Sequence, residues 1–524
     1  MRRSLVLSGG LLSIGMVLAA CGNKPDESTS SPNEFSDSIA AADDFDADGH
    51  FDFAFSVFAP TWDPIESIGG VDMTFYEPVY DSLLHENKDG GIEPMLATDF
   101  TPSEDNKTLT LTLQEGLKFS DGEAFNADAV KFNLDRARQT TSRVAGDLYM
   151  VDEVTVTGEY TLELHLSGAI GSLPTALANA AGIQVSPKAA EAGILSEKPV
   201  GIGPFVATNI EPGARVDYEA SPDYWDPDAQ RVATMSYQLM ADDQTRMNAL
   251  RSGEIDGAAV TPIDIDSIAS DGYTTLVKPS SQIVYLSVNG SKGKLGDPEV
   301  RKALNMSIDR EALSEGLYDG YCVPQIQPFP ESSAGYSEKI GDGSDAYPYD
   351  PEKAKDLLAA AGASDMSLKL VTGNDTRNTQ LAEVVQAQLT DVGIDVQVEI
   401  MPPVPLVEAY TETETMDMLA SQSNGLNDPG VMVQRYLTPE ALFNPGDLEY
   451  PELAKLGNEA AATLDPEVRK AGYEKFMDAW VEAPPHFVPL CLSSNAAAYA
   501  AGVSGVTQKA NGLPGLRGVA VTEQ

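Results

Sequence analysis

Cys21 is the residue whose position in the sequence most directly indicates a chemical modification. It follows the small residues Ala19 and Ala20 and an apolar stretch that begins at Leu5. A lipoprotein signal peptide typically has a positively charged start, here Arg2 and Arg3. It continues with an apolar core too short to span a bilayer and ends with small residues before a cysteine. We therefore predict that residues 1–20 are removed and that Cys21 carries a lipid such as palmitate. An N-terminal anchor with an incidental cysteine is the less favoured alternative.

Cys322 and Cys491 are the other two cysteines of the chain. A protein exported to an oxidising location can join two such residues in a disulfide. The sequence does not give the distance between their Cα atoms, which decides whether a bridge can form. Pairing and two free thiols therefore stand as equal alternatives.

One acidic string resembles part of a metal site. Asp44, Asp46 and Asp48, followed by Gly49, match the first half of a calcium-binding loop. The twelfth position is Phe55, where such a loop needs a bidentate glutamate. We interpret the string as the acidic end of a tether and predict no metal and no cofactor, although the sequence leaves calcium binding open.

The chain shows no sequence pattern of an enzyme active site. The Gly-x-Ser-x-Gly elbow, the phosphate-binding Gly-Lys-Ser/Thr loop and the His-Glu-x-x-His zinc helix are all missing from the sequence. The histidines are scattered at His50, His85, His165 and His486. We predict that the protein is not an enzyme, and we keep an exported hydrolase as an alternative from a different functional class.

The net charge limits the partners. The chain has 80 acidic and 34 basic residues and a formal charge of −46. This charge argues against nucleic acid and anionic lipid surfaces, because both need basic patches. After removal of the signal peptide, 524 − 20 = 504 residues remain, which is too many for one core and predicts two or three lobes. Residues 21–48 are polar and acidic and predict a flexible tether.

Hydrophobic periodicity predicts α/β units that can position a site. A strand at 367–371, a helix at 379–392 and a strand at 394–400 form one strand-helix-strand unit with a parallel pair. A helix followed by a short strand over 242–260 repeats this order. Further helices are expected after the capping residues Asn126, Asp309 and Asp350, and at 72–84. Further strands are expected at 51–58, 109–113, 151–156, 162–166, 215–220 and 283–288.

A series of short motifs follows in a fixed order from about residue 51 to the C-terminus. It includes Trp62-Asp63-Pro64, Tyr80-Asp81-Ser82-Leu83, Pro94-Met95-Leu96-Ala97, Gly201-Ile202-Gly203-Pro204-Phe205, Pro222-Asp223-Tyr224-Trp225, Asp297-Pro298-Glu299-Val300-Arg301 and Tyr349-Asp350-Pro351. Through these motifs the chain resembles the large solute-binding lipoproteins of ABC importers, in the class of oligopeptide-, dipeptide- and nickel-binding proteins.

The resemblance implies an α/β fold with two lobes and a hinge, of the periplasmic-binding-protein-like type II, cluster C, with an extra inserted domain. The implied divisions are lobe I at 45–80, 198–282 and 490–524, the inserted domain at 81–197, and lobe II at 283–489.

The resemblance also implies a receptor that encloses a small solute, with a peptide favoured, between its lobes. The receptor would be a monomer, would be held by its lipid at the extracellular face of the cytoplasmic membrane, and would deliver the solute to the permease and ATPase subunits of an importer. A neutral solute such as an oligosaccharide is the alternative within this role. An adhesion or signalling protein without transport is an alternative outside it.

In the first lobe, the resemblance nominates the loop of Ile68, Gly69 and Gly70, whose backbone would pair with a peptide. Small residues there allow close approach of a ligand, although a turn before the helix at 72–84 explains the same glycines. Ser281 and Gln282 match hinge-side pocket positions. Trp62 fits either an aromatic wall of the site or the core.

In the second lobe, the resemblance nominates the loop 421–428. The candidate residues are Ser421, Gln422, Ser423, Asn424 and Asp428. Peptide binders of the class commonly have an aspartate here that pairs with the peptide's amino terminus, and in this chain that position falls near glycine 425. Either Asp428 takes this role or the ligand has no free amine at this point. Hydroxyls and amides suit a sugar equally well.

Overall fold

The computed structural model describes residues 35–67, 70–423 and 428–522. The predicted signal peptide and the lipidation of Cys21 lie outside the described residues, as do Ile68, Gly69 and Asn424. Within the described ranges, no helix combines the length and the apolar character needed to cross a bilayer.

The largest sheet is organised around two long neighbouring strands, Thr274–Val288 and Phe487–Tyr499, which pair antiparallel. We call them the crossing strands. From edge to edge, the strands of this sheet lie in the order Asp395–Met401, Ser367–Gly373, Met418–Gln422, Thr274–Val288, Phe487–Tyr499, Gly257–Val260, His50–Phe55, Thr234–Leu239, Arg215–Ala220 and Phe205–Glu211, and Cys322–Pro324 pairs with Phe487–Tyr499 outside this path.

The pairing of the crossing strands changes register near their middle. Residues 274–279 pair with 494–499, and residues 283–287 pair with 487–492. Residues 280–282 are left outside the ladder as a bulge, a feature that bends a strand and re-aims its side chains. We call residues 280–282 together with 493–494 the crossing point.

Different hydrophobic cores lie on the two sides of the crossing point. Leu276 and Tyr499 pack in a core with Phe53, whereas Leu286 and Val488 pack in a core with the helix Thr376–Asp391. A further core is built from residues 83–202. The domain boundaries given in the sequence analysis stay a prediction.

A four-stranded antiparallel sheet lies within residues 97–166, in the order Ala97–Pro102, Thr108–Leu113, Thr161–Leu166 and Val151–Gly158. Threonine and leucine alternate in Thr108–Leu113, and its leucines are the buried set, as the two-residue period of a strand requires. The remaining strands are Ser38–Ile39, Leu84–Glu86, Ile92–Pro94, Val503–Ser504, Val506–Gln508, Pro514–Gly515 and Ala520–Val521.

Helices cover the large sheet and the crossing strands. The α-helices are Gly70–Tyr76, Ala127–Ala137, Leu173–Ala178, Pro187–Glu191, Asp243–Ser252, Ile265–Ser270, Pro298–Ser307, Arg310–Tyr318, Pro351–Ala360, Thr376–Asp391, Pro403–Thr411, Gly430–Met432, Pro451–Ala461 and Pro466–Glu482. Short 3-10 turns occupy Pro64–Glu66, Ala145–Leu148, Ala180–Gly182, Pro227–Ala229 and Pro262–Asp264, and a π-helical turn occupies Val433–Leu437.

The predicted strand-helix-strand unit is confirmed. Ser367–Gly373 and Asp395–Met401 pair in parallel on either side of Thr376–Asp391 in the chain. The helix begins three residues before the predicted start, because the Asp375 carboxylate accepts a hydrogen bond from the backbone N–H of Asn378 and caps it.

The other helix starts are also confirmed. The side chains of Asn126, Asp309 and Asp350 each accept a backbone N–H in the first turn of the helix that follows. The unit at 242–260 forms as a helix capped by Asp242 and a strand, and Gly253 ends the helix in a left-handed conformation at φ 72°.

Two predicted elements need correction. The predicted helix 72–84 is wrong beyond its first turns: it is observed as Gly70–Tyr76, and Leu84–Glu86 is a strand. Pro78 is the physical reason, because proline disfavours the helical conformation of the residue before it. The strand predicted at 51–58 is observed as His50–Phe55.

The predicted flexible tether 21–48 is wrong near its C-terminal end. Ser38–Ile39 pairs with Val506–Gln508, and the Asp37 carboxylate lies 3.0 Å from Lys88 Nζ and 3.4 Å from Lys278 Nζ. Backbone pairing and two cations therefore fix this segment. Over the part of the chain that the structure describes, no cluster of three or more histidine, cysteine, aspartate or glutamate side chains could hold a metal ion.

Cys322 and Cys491 form a disulfide in the structure, with their Cα atoms 5.4 Å apart. It joins the short strand Cys322–Pro324 to the crossing strand Phe487–Tyr499. The neighbour Tyr321 packs in a core with Ala498, whereas Cys322 packs in a core with Leu286. The bridge therefore fastens a third segment beside the crossing point.

We expect removal of this disulfide to lower the free energy of unfolding by about 2–5 kcal/mol, because the bridge closes a long loop in the unfolded chain. The measurement is urea unfolding of the native protein and of the Cys322→Ala/Cys491→Ala double variant. Reductant should lower the stability of the native protein and leave the double variant unchanged. Equal stability of the two proteins would contradict the prediction.

Candidate functional site

Polar side chains gather at the crossing point. Ser280 Oγ donates to the carbonyl oxygen of Ser493 at 2.7 Å and accepts from the backbone N–H of Gln282 at 3.1 Å. These bonds hold the bulge in place. Ser281 and Ser494 are 6% exposed, and their hydroxyls have no hydrogen-bond partner among the described residues. Buried hydroxyls without partners are costly, so both are available to a bound group.

The Gln422 amide links two sides of this polar group. Its Nε2 donates to Gln282 Oε1 at 2.9 Å and to Ser493 Oγ at 2.8 Å. The three residues come from three different strands that meet at the crossing point. The arrangement is rich in hydroxyls and amides and carries no formal charge, so it can hydrogen-bond a peptide backbone or a neutral solute.

The predicted loop 421–428 is corrected at its start. Ser421 and Gln422 lie in the strand Met418–Gln422, opposite Tyr285 and Val284. Ser423 continues this pairing: its N–H donates to the carbonyl oxygen of Ile283, and its hydroxyl accepts from the N–H of Ile283. The pairing with Thr274–Val288 thus extends to residue 423, so that residues 421–423 do not belong to a loop.

Asp428 does not offer a free carboxylate to a ligand amine. Its Oδ2 lies 2.6 Å from Arg469 Nη2, and the two side chains are 6% and 12% exposed. Its Oδ1 accepts from the N–H of Gly430 at 2.8 Å. Burial alone would lower the pKa of Arg469, but the Asp428 carboxylate raises it above its usual value. The Asp428 carboxylate thus already has a cationic partner within the chain.

The same arginine connects distant parts of the chain. Arg469 Nη1 donates to the carbonyl oxygen of Gly171 at 2.8 Å, and the N–H of Gly171 donates to the carbonyl oxygen of Ala461 at 2.8 Å. A Cβ atom at residue 171 would lie 2.6 Å from that Ala461 oxygen, so glycine allows this close approach. Residue 171 belongs to the predicted inserted domain, and Ala461 and Arg469 belong to predicted lobe II.

Trp62 packs in the core, which is one of the two alternatives that the sequence left open. It is 3% exposed and makes an edge contact with Tyr218, and its carbonyl oxygen accepts from Tyr80 Oη at 2.8 Å. Gly70 is exposed at the start of a helix. Its contact with a ligand stays a prediction.

His486, the histidine nearest the crossing strands, has a structural role. Its ring nitrogens lie 3.1 Å from Tyr450 Oη and 2.7 Å from the carbonyl oxygen of Phe443. Burial lowers the pKa of His486 to about 4, so the ring is neutral near pH 7. It holds two segments together rather than taking part in chemistry.

Sequence reasoning missed Ser493, Ser494 and Arg469. The two serines and Asn495 interrupt an apolar run within Phe487–Tyr499, and this interruption was a usable signal. Arg469 gave none, because its partner Asp428 lies 41 residues earlier in the chain.

A mixed sheet carried through two crossing strands, with polar groups at their crossing point, is the architecture of a two-lobed α/β binding protein with an inserted domain. Residues 91–442 match the family model of bacterial extracellular solute-binding proteins, family 5. The chain belongs to this family. It is thus a solute-binding receptor of the ABC-importer class, and the prediction that it is not an enzyme is confirmed.

Individual relatives agree with this assignment. The chain is 31% identical to the glutathione-binding protein GsiB of Pectobacterium atrosepticum. That match covers 65% of this chain and 66% of the relative. The chain is 28% identical to GsiB of Shigella dysenteriae over 85% of its length and 89% of that protein. The structure of DppA from Helicobacter pylori in complex with the peptide STSA has a similar fold, with a TM-score of 0.75 at 23% identity, covering 92% of this chain and 99% of that one.

We expect Asp428→Asn to lower the free energy of unfolding by about 3–5 kcal/mol, because it leaves the Arg469 cation buried without its partner. Urea unfolding measures this loss. The matched control is Asp478→Asn, which removes one side of the exposed pair with Lys339 and should change stability by less than about 1 kcal/mol. An Asp428→Asn variant as stable as the control would return Asp428 to the list of ligand-binding candidates.

Proposed function

We propose that this receptor captures peptides between its lobes and delivers them to the permease and ATPase subunits of an importer. The observation that carries the proposal is the uncharged set at the crossing point, Gln282, Gln422 and Ser493, next to the free hydroxyls of Ser281 and Ser494. Amides and hydroxyls of this kind pair with the backbone groups of an extended peptide. The glutathione-binding relatives and the peptide-bound neighbour support the same ligand class.

The position of these groups explains how ligand capture and closure are coupled. They lie where the sheet passes from one hydrophobic core to the other. A solute bound there contacts strands on both sides of the crossing point. Because the solute binds the closed arrangement more tightly than the open one, it shifts the protein toward the closed arrangement. The Gly171 contacts with Ala461 and Arg469 add hydrogen bonds that form only when residues 171 and 461 are adjacent.

We further propose that the receptor is a monomer anchored at the extracellular face of the cytoplasmic membrane by a lipid on Cys21. The support is the sequence around Cys21, with its preceding alanines and apolar stretch. An anchored receptor stays within reach of its permease, which raises the local concentration of loaded protein.

We expect a peptide to be found by mass spectrometry of whatever co-purifies with the protein, and we expect calorimetry to show binding of glutathione or of the peptide Ser-Thr-Ser-Ala. Gln422→Ala should weaken that binding by about tenfold, because it removes the proposed hydrogen bonds between the Gln422 amide and the peptide, which are worth about 1–2 kcal/mol. The exposed Gln244→Ala serves as the control with unchanged affinity. A co-purifying neutral oligosaccharide, with no binding of either peptide, would replace the peptide proposal by the sugar alternative.

We expect Cys21→Ala to move the protein from the membrane fraction to the medium or the soluble fraction when it is produced in a bacterial host. The reason is that a lipid chain attached through the thiol supplies the membrane affinity. Immunoblots of the fractions give the result, with Cys322→Ala/Cys491→Ala as the control that keeps Cys21. Membrane retention of the Cys21→Ala variant would contradict lipid anchoring.

A further inference from the structure

A cavity of about 130 Å³ lies between the predicted inserted domain and predicted lobe II. One wall comes from residues 146–179 and the other from residues 428–435. Asp428, which lines the cavity, is the last residue of the predicted loop 421–428.

Asp147 and Arg435 face each other across this cavity. Arg435 Nη2 lies 3.9 Å from Asp147 Oδ1, which is close enough for charge attraction but too far for a hydrogen bond. The side chains are 43% and 50% exposed, so a solute can reach both. Among the described residues, neither charged group has a hydrogen-bond partner, in contrast to the internal pair of Asp428 and Arg469.

The remaining lining suits a small polar group with an apolar stem. Tyr149 presents a ring that is 46% exposed, and Ala176 and Val431 add apolar surface. Partial burial raises the pKa of the Asp147 carboxyl, and the Arg435 charge acts against this shift. A solute that covers the pair removes water from both charges, so it must bring its own donors and acceptors to replace that water.

We propose that Asp147 and Arg435 form a subsite for a zwitterionic α-amino-acid group, whose ammonium donates to Asp147 and whose carboxylate accepts from Arg435. The inference rests on the proposed capture of peptides and narrows it. An ammonium and a carboxylate on one carbon lie a few ångströms apart, and this spacing matches two opposite charges on facing walls. Charge-assisted hydrogen bonds of this kind are the strong ones, and arginine can bind a carboxylate in bidentate geometry.

The subsite makes a distinction between peptide linkages. In an ordinary α-linked peptide, each terminal residue has used either its α-amino or its α-carboxyl group in the peptide bond. A glutamyl residue linked through its side chain keeps both groups free on the same carbon. We therefore infer that the receptor prefers γ-glutamyl peptides to their α-linked isomers.

The test compares two isomers by calorimetry, γ-Glu-Ala-Gly and α-Glu-Ala-Gly. They have the same composition and no thiol that could exchange with the Cys322–Cys491 disulfide. We expect the γ-linked peptide to bind about tenfold tighter or more. Arg435→Gln and Asp147→Asn should each weaken its binding by about tenfold or more and change the binding of the α-linked peptide by less than about threefold.

Matched controls remove the same charges elsewhere. Lys455→Gln removes an exposed cation, 71% exposed, from the helix Pro451–Ala461, and Asp128→Asn removes an exposed acid from the helix Ala127–Ala137. Both should leave the affinity unchanged. Thermal unfolding of all variants shows whether each is folded at the temperature of the titration.

The double variant Arg435→Gln/Asp147→Asn distinguishes two explanations for a loss of affinity in the single variants. Either both side chains contact the solute, or each side chain only neutralises the charge of the other. If both residues contact the solute, the double variant binds the γ-linked peptide at least as weakly as the weaker single variant. Recovery of binding in the double variant would overturn the subsite, because it would mean that the two charges only neutralise each other.

The remaining outcomes separate this inference from the proposed function. Equal affinity for both isomers, or for native protein and single variants, overturns the subsite and leaves peptide capture standing. Binding of Ser-Thr-Ser-Ala but of neither isomer has the same meaning. Failure of all three peptides overturns peptide capture and the subsite together.

Discussion

The antiparallel pairing of Thr274–Val288 with Phe487–Tyr499 is the interaction on which the rest of the structure depends. These strands are the neighbours that connect Met418–Gln422 on one side of the large sheet with Gly257–Val260 on the other. Their two halves pack into different hydrophobic cores. Because backbone hydrogen bonds join the two strands on both sides of the change of register, the two cores stay joined while the bulge at residues 280–282 allows the strands to bend.

The sequence predicted elements well where the signal was local. Caps such as Asp350 and the alternation in 394–400 lie within a few residues of what they determine, and the structure agrees with both. The motif residue Asp81 shows why the resemblance was informative: its carboxylate accepts from Tyr224 Oη at 2.7 Å and Trp225 Nε1 at 2.8 Å, and it lies 3.1 Å from Arg517. Motifs separated by more than a hundred residues thus meet at one buried carboxylate.

The candidate site was harder to predict, because its contacts join residues that are distant in the chain. The nomination of Gln422 as a ligand-binding residue stays a prediction, and its hydrogen bond with Ser493 could be found only by knowing which strands are neighbours. Asp428 looked available for a ligand until its buried partner Arg469 was located. In the sequence, Trp62 fitted both an aromatic wall of the site and a position in the core. Its exposure of 3% in the structure favours the core. The sequence therefore indicated which residue types were suitable, whereas the fold determined which of them meet.

The place of the crossing strand Phe487–Tyr499 in the chain has a consequence for how the molecule is made. This strand lies in the middle of the large sheet, yet it is among the last segments to be synthesised. Its partner strands all lie more than a hundred residues earlier in the chain, and pairings of such separation form slowly. A chain that ends anywhere before Phe487 lacks the strand between Thr274–Val288 and Gly257–Val260. Until this strand is present, the two parts of the sheet can form only as separate units, so complete folding has to follow synthesis.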